Sequence, residues 1–96
     1  MKLRVALAQI NPTVGDFAGN AALIQEAVVQ AQKQSAEIIV FPEMIVTGYP
    51  VEDLALRPSF QAASIAAVEK IAASISGDIV AVVGYLDKGP KNAVAI

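Results

Sequence analysis

Two long helix-forming stretches, residues 18–35 and 59–76, enclose a run of only four apolar residues, Ile38 to Phe41, cut short by Pro42. A run so short and so rich in β-branched and aromatic side chains reads as a strand buried on both faces. Proline has no N–H to give to a sheet ladder, so the strand ends there or lies on an edge. A buried strand held between two long helices leaves few architectures open, chiefly a parallel sheet with helical crossovers.

The flanking segments agree. Residues 3–10 read as a first strand, with Leu3, Val5 and Leu7 on one face and the small Ala6 and Ala8 on the other, suited to close packing by a helix. Asn11-Pro12 closes it. Asp16 is placed to cap the first helix, whose buried stripe is Ile24, Ala27, Val28 and Ala31. Glu52-Asp53-Leu54 starts a short helical turn. In the second helix Ser59 is the expected cap, the buried stripe is Ile65, Val68, Ala72 and Ile75, and Ser76-Gly77-Asp78 is the stop. Residues 79–86 are a third strand, residues 87–91 a turn and residues 92–96 a fourth strand. The fold class is α/β in β-α-β-α-β-β order. The first three strands are parallel and the last is antiparallel, so the sheet is mixed.

Composition removes several functions. With 55% hydrophobic and 17% charged residues the chain is too apolar for disorder. No apolar run approaches the roughly 18 residues of a membrane span, and nothing near Lys2 and Arg4 resembles a secretory signal, so the cytoplasm is the default location. Seven Lys/Arg against nine Asp/Glu, a net charge of −2, offers no basic surface for nucleic acid. Without cysteine or histidine there is no thiol nucleophile, no thiolate or imidazole metal site and no base to activate Thr13, Ser59 or Ser64. Gly15 and Gly19 are not followed by Gly-Lys-Ser/Thr and make no phosphate loop.

The candidate for chemistry is Glu43, a carboxylate just past the carboxyl end of the second strand, where open α/β sheets bind ligands. Its neighbours Phe41, Met44, Ile45 and Val46 suggest an apolar recess, suited to a general acid or base. The plainer reading is a surface carboxylate opening a loop. Tyr49, in the loop Thr47-Gly48-Tyr49-Pro50, either packs its ring beneath that loop or lines a pocket. Glu52 and Asp53 read as capping or surface carboxylates. The chain stops at Ala-Val-Ala-Ile, in mid-strand, which reads as a fragment.

The residues Val5 to Pro12, Gly15-Asp16, Phe41-Pro42-Glu43 and Thr47 to Pro50 resemble the start of the nitrilase (carbon–nitrogen hydrolase) superfamily. Glu52-Asp53-Leu54 and Leu56 to Phe60 are similar to the amino-terminal glutaminase domain of the glutamine-dependent NAD synthetases. The resemblance implies a four-layer α-β-β-α sandwich whose subunits associate as a homo-oligomer, and a Cys–Glu–Lys triad in which Glu43 is the general base and Tyr49 lines the glutamine pocket. Lysine and cysteine then lie beyond Ile96. It also implies ATP, Mg and deamido-NAD in a further domain, with no cofactor in this segment. Two alternatives stand beside it: a stand-alone amidase of the same superfamily, and a small non-catalytic module that binds partners through an apolar surface.

Overall fold

The computed structural model describes residues 2–96. Strands β1 (Val5–Leu7), β2 (Ile38–Val40), β3 (Val80–Asp87) and β4 (Lys91–Ala95) form one sheet in that spatial order. β1, β2 and β3 pair in parallel, and β4 returns antiparallel to β3. Helices α1 (Phe17–Lys33) and α2 (Pro58–Ser74) make the crossovers, and a 3₁₀ turn, Glu52–Leu56, precedes α2. The expected α/β class and mixed sheet are thus present. Because the strand order never reverses, two right-handed crossovers put both helices on the same face. The described residues therefore form one helical layer on one sheet layer. No helix among them is long and apolar enough to cross a membrane.

The core lies between these layers. Ile24, Val28 and Ala31 of α1 and Val68 and Ile71 of α2 meet Ile39 and Val83 of the sheet, with Ala6 and Ala81 packed against them. Burying a side chain such as Ile24 or Ile39 contributes about 1.5–3 kcal/mol. Ala6 of β1 and Ala8 just after it pack against the core, as their size suggests.

The opposite face of the sheet is also apolar, and it is bare. Register places Val5, Ile38 and Val80 in one row and Leu7, Val40 and Val82 in the next. Leu7 is 71% exposed.

Several local expectations need correction. β1 spans three residues rather than residues 3–10, because it is an edge strand whose one neighbour, β2, is itself only three residues long. Ser59 does not cap α2. Arg57 holds the cap position without a side-chain hydrogen bond, and Pro58 takes the first helical position, where its missing N–H costs nothing. The buried stripe of α2 is Gln61, Ser64, Val68 and Ile71, while Ala72 is exposed. Ile71 takes the place of Ala72, and Ser64 that of Ile65, while Gln61 joins the stripe one turn earlier. The two polar residues are buried because they meet backbone groups that need partners. Ser64 Oγ accepts from Leu86 N at 3.0 Å. Gln61 Nε2 donates to Ala55 O at 2.7 Å, and its Oε1 accepts from Gly89 N at 3.2 Å. In α1 the fourth fully buried residue is Asn20, with Ala27 only partly buried. Asp16 caps α1 as expected, accepting from Gly19 N at 2.9 Å.

Candidate active site

The carboxyl end of β2 leads into a tight, hydrogen-bonded loop. Phe41 N still donates to Val82 O at 3.1 Å, and Pro42 then ends the ladder. Met44 turns back with φ +56°, a left-handed conformation that costs a non-glycine residue about 1–2 kcal/mol. That turn breaks the strand alternation, so Met44 sinks into the small cluster with Val51 and Leu86 directly after Glu43 faces out. Ile45 and Val46 follow into the main core. Gly48 N donates to Met44 O at 2.9 Å, and Val46 N to Gly84 O at 3.3 Å.

Three groups hold this loop. Gly84 of β3 lies so close that a Cβ there would be 2.7 Å from Met44 N. Gly48, at φ +82°, leaves no room for a side chain, since a Cβ would fall 2.6 Å from Val14 Cα. Asn20, 1% exposed, reaches from α1. Its Nδ2 donates to Thr13 O at 2.9 Å and Val46 O at 3.0 Å, and its Oδ1 accepts from Thr13 N at 2.9 Å. One side chain thus joins the loop after β1 to the loop after β2. Thr47, fully buried, turns its hydroxyl to Gly48 O at 2.9 Å.

Glu43 sits where the sequence places it, at the carboxyl end of the second strand, but its surroundings differ from the expected recess. Its flanking residues Phe41, Met44, Ile45 and Val46 are buried, whereas Glu43 itself is exposed. Met44, Ile45 and Val46 became core, not walls, because the turn at Met44 carries them away from the carboxylate, and Phe41 packs into the main core ahead of it. Asn92 Nδ2 donates to Glu43 Oε1 from the start of β4. Tyr49 is 65% exposed and belongs to neither core cluster, so its ring does not pack beneath the loop. The Tyr49–Pro50 peptide is cis. Glu52 and Asp53 lie exposed in the first turn of the 3₁₀ segment.

Reading the sequence by type missed Asn20 and gave Gly84 and Asn92 no physical role. Asn20 had a signal: it stands four residues before Ile24, on the apolar stripe of α1, where a polar residue needs a partner. Gly84 interrupts the apolar run of β3, a mark of close backbone approach. Nothing local distinguishes Asn92.

Among the described residues no group of three or more His, Cys, Asp or Glu could hold a metal ion. What remains is a hydrogen-bonded carboxylate presented at the ends of parallel strands, a placement characteristic of α/β enzymes. The chain matches the carbon-nitrogen hydrolase family over residues 4–94 and belongs to it. It is 48% identical over 84 residues to the glutamine-dependent NAD(+) synthetase of Xylella fastidiosa (strain Temecula1), an alignment covering 86% of this chain and 15% of that protein. A crystal structure of a glutamine-dependent NAD(+) synthetase from Cytophaga hutchinsonii superposes with a TM-score of 0.89 at 32% identity, over 96% of this chain and 16% of that one. A synthetase of the same description from Acinetobacter baumannii, in complex with adenosine diphosphate, gives 0.75 at 37% identity, over 97% of this chain and 18% of that one. The chain spans less than a fifth of the length of each of these relatives.

Proposed function

We propose that these residues are the amino-terminal part of the glutaminase domain of a glutamine-dependent NAD synthetase, with Glu43 as its general base. The observation that carries this reading is the fixed presentation of Glu43 at the carboxyl end of β2, in a chain of this family. Glu43 would take the proton of a cysteine thiol supplied from outside residues 1–96. The sulfur then bonds to the side-chain amide carbon of glutamine, the carbon–nitrogen bond breaks, and Glu43 returns the proton to the departing ammonia. Glu43 next removes a proton from the water that cleaves the thioester, giving glutamate and the free thiol. A lysine, also supplied from elsewhere, would stabilise the charge on the tetrahedral intermediates. The walls that exclude water from Glu43 would come from the rest of the domain, including a second sheet on the bare face with helices on its far side, which together would make the four-layer α-β-β-α sandwich. Tyr49, exposed beside the loop, would touch glutamine.

ATP, Mg and deamido-NAD belong, on this reading, to a separate synthetase domain, and the ADP bound to the Acinetobacter baumannii protein supports nucleotide use there. No step proposed for residues 1–96 passes through them. Association of subunits and a cytoplasmic location are part of the same proposal.

Glutamine hydrolysis by the full-length protein tests the reading. Glu43→Gln keeps the size of the side chain and removes the base, so the rate should fall by about 10²–10⁴-fold. A folded variant that hydrolyses glutamine at the parent rate would end the assignment. The coding sequence beyond Ile96 tests the rest: a lysine soon after the hairpin, a cysteine further on and then a nucleotide-binding domain are expected. An open reading frame that closes after a single hydrolase domain would favour a stand-alone amidase.

A further inference from the structure

Glu43 and Asn92 are 49 residues apart in the chain, yet their side chains meet. We infer that Asn92 is a positioning residue for the proposed base: its amide holds one carboxylate oxygen of Glu43 and leaves the other free for the thiol proton. The inference rests on the proposed role of Glu43 and extends it to a residue with no chemistry of its own.

The contact is polar and exposed, and two exposed side chains alone would gain little from it. What distinguishes this pair is that β3 fixes both backbones. On one side, Gly84 clamps the peptide after Glu43, and Val46 N bonds to Gly84 O. On the other, Asn92 is the cross-strand partner of Leu86, two residues along the same strand. Leu86 is itself buried, with its N–H on Ser64 of α2, and Gln61 ties the hairpin turn at Gly89 to the same helix. The two side chains are thus brought together by buried, hydrogen-bonded elements rather than by chance contact of mobile groups.

Chemistry fixes the direction of the bond. An ionised carboxylate only accepts, so Asn92 must present Nδ2 and not Oδ1. A glutamate free in solvent samples many rotamers, and holding it in one costs up to about 2 kcal/mol. A base must also lie within hydrogen-bond reach of its proton, and a misplacement of about 1 Å can cost about 10²-fold in rate. A neutral amide donor orients the carboxylate without placing a cation beside the nucleophile's proton.

The test is a set of variants in the full-length protein, assayed for glutamine hydrolysis and for thermal midpoint. Asn92→Ala should lower kcat by about 10–100-fold, with KM changed less than about 3-fold and the midpoint retained. Asn92→Asp keeps the shape, removes the donor and opposes two carboxylates, so its loss should be at least as large. In a Glu43→Gln background, Asn92→Ala should add little, since the two residues act as one unit. Parent kcat in Asn92→Ala, a change in KM alone, or full multiplication of the two losses in the double variant would each overturn the inference. So would failure of both Asn92 variants to fold, which would make the residue structural. Loss of hydrolysis in Glu43→Gln beside full activity in Asn92→Ala would remove this inference only. Full activity in Glu43→Gln would remove the base assignment beneath it.

Discussion

Gly84 lies against the amide of Met44 with no space for a methyl group: a Cβ on Gly84 would be 2.7 Å from Met44 N and 3.4 Å from the carbonyl carbon of Glu43. The strand that carries Gly84 therefore sets where Glu43 can stand. Gly84→Ala should force the loop away and destabilise the protein by about 1–3 kcal/mol, the cost of overpacking. Urea denaturation measures the stability, and glutamine hydrolysis by the full-length protein should fall further than the unfolded fraction explains. An unchanged midpoint with unchanged hydrolysis would show that the loop has room to move.

Asn20 satisfies three backbone groups at once, on Thr13 and Val46. Asn20→Ala leaves all three without that partner, the Val46 carbonyl in a buried place and the two Thr13 groups partly buried, and the expected loss is about 1–3 kcal/mol. Asn20→Asp should be worse, since it removes both donations and buries a charge. Faster hydrogen exchange at the Thr13 amide is the local signature in the Ala variant. Equal stability of the Asp variant and the parent would contradict the buried network.

Tyr49 is largely exposed and packs in neither core cluster. Tyr49→Ala should leave the thermal midpoint within about 2 °C, a shift well below 1 kcal/mol for a domain of this size. If the ring contacts glutamine in the full-length protein, KM rises by about 10-fold, the loss of roughly 1.4 kcal/mol of binding, and Tyr49→Phe separates ring from hydroxyl. A lowered midpoint with an unchanged KM would return Tyr49 to a packing role.

The uncovered rows Val5–Ile38–Val80 and Leu7–Val40–Val82 form a contiguous apolar face. Exposed patches of this kind drive association. A purified chain of residues 1–96 should self-associate in analytical ultracentrifugation, and Leu7→Lys should shift it toward monomer without lowering its thermal midpoint. A parent chain that remains monomeric at high concentration would count against this.

The expected elements and their order are present because each is written in local periods and stops. Pro42 ended β2, Asp16 capped α1, and Gly89 turned the last hairpin through residues near them in the chain. Where the reading slipped, in the stripe of α2, alanines surround that helix and give no contrast between faces. Its buried side was chosen by Leu86 N and Gly89 N, donors more than 20 residues away.

The sequence by itself determined the alternation of strands and helices, the parallel pairing it demands, and the arrival of a carboxylate just past the second strand. Periodicity, proline and glycine act over a few residues and need no partner to be read. Only the tertiary structure decided that Glu43 faces out while its apolar neighbours turn in, that Gly84 makes the space beside it, and that Asn92 reaches it. Those relations depend on register between strands and on backbone groups that must find donors and acceptors far along the chain.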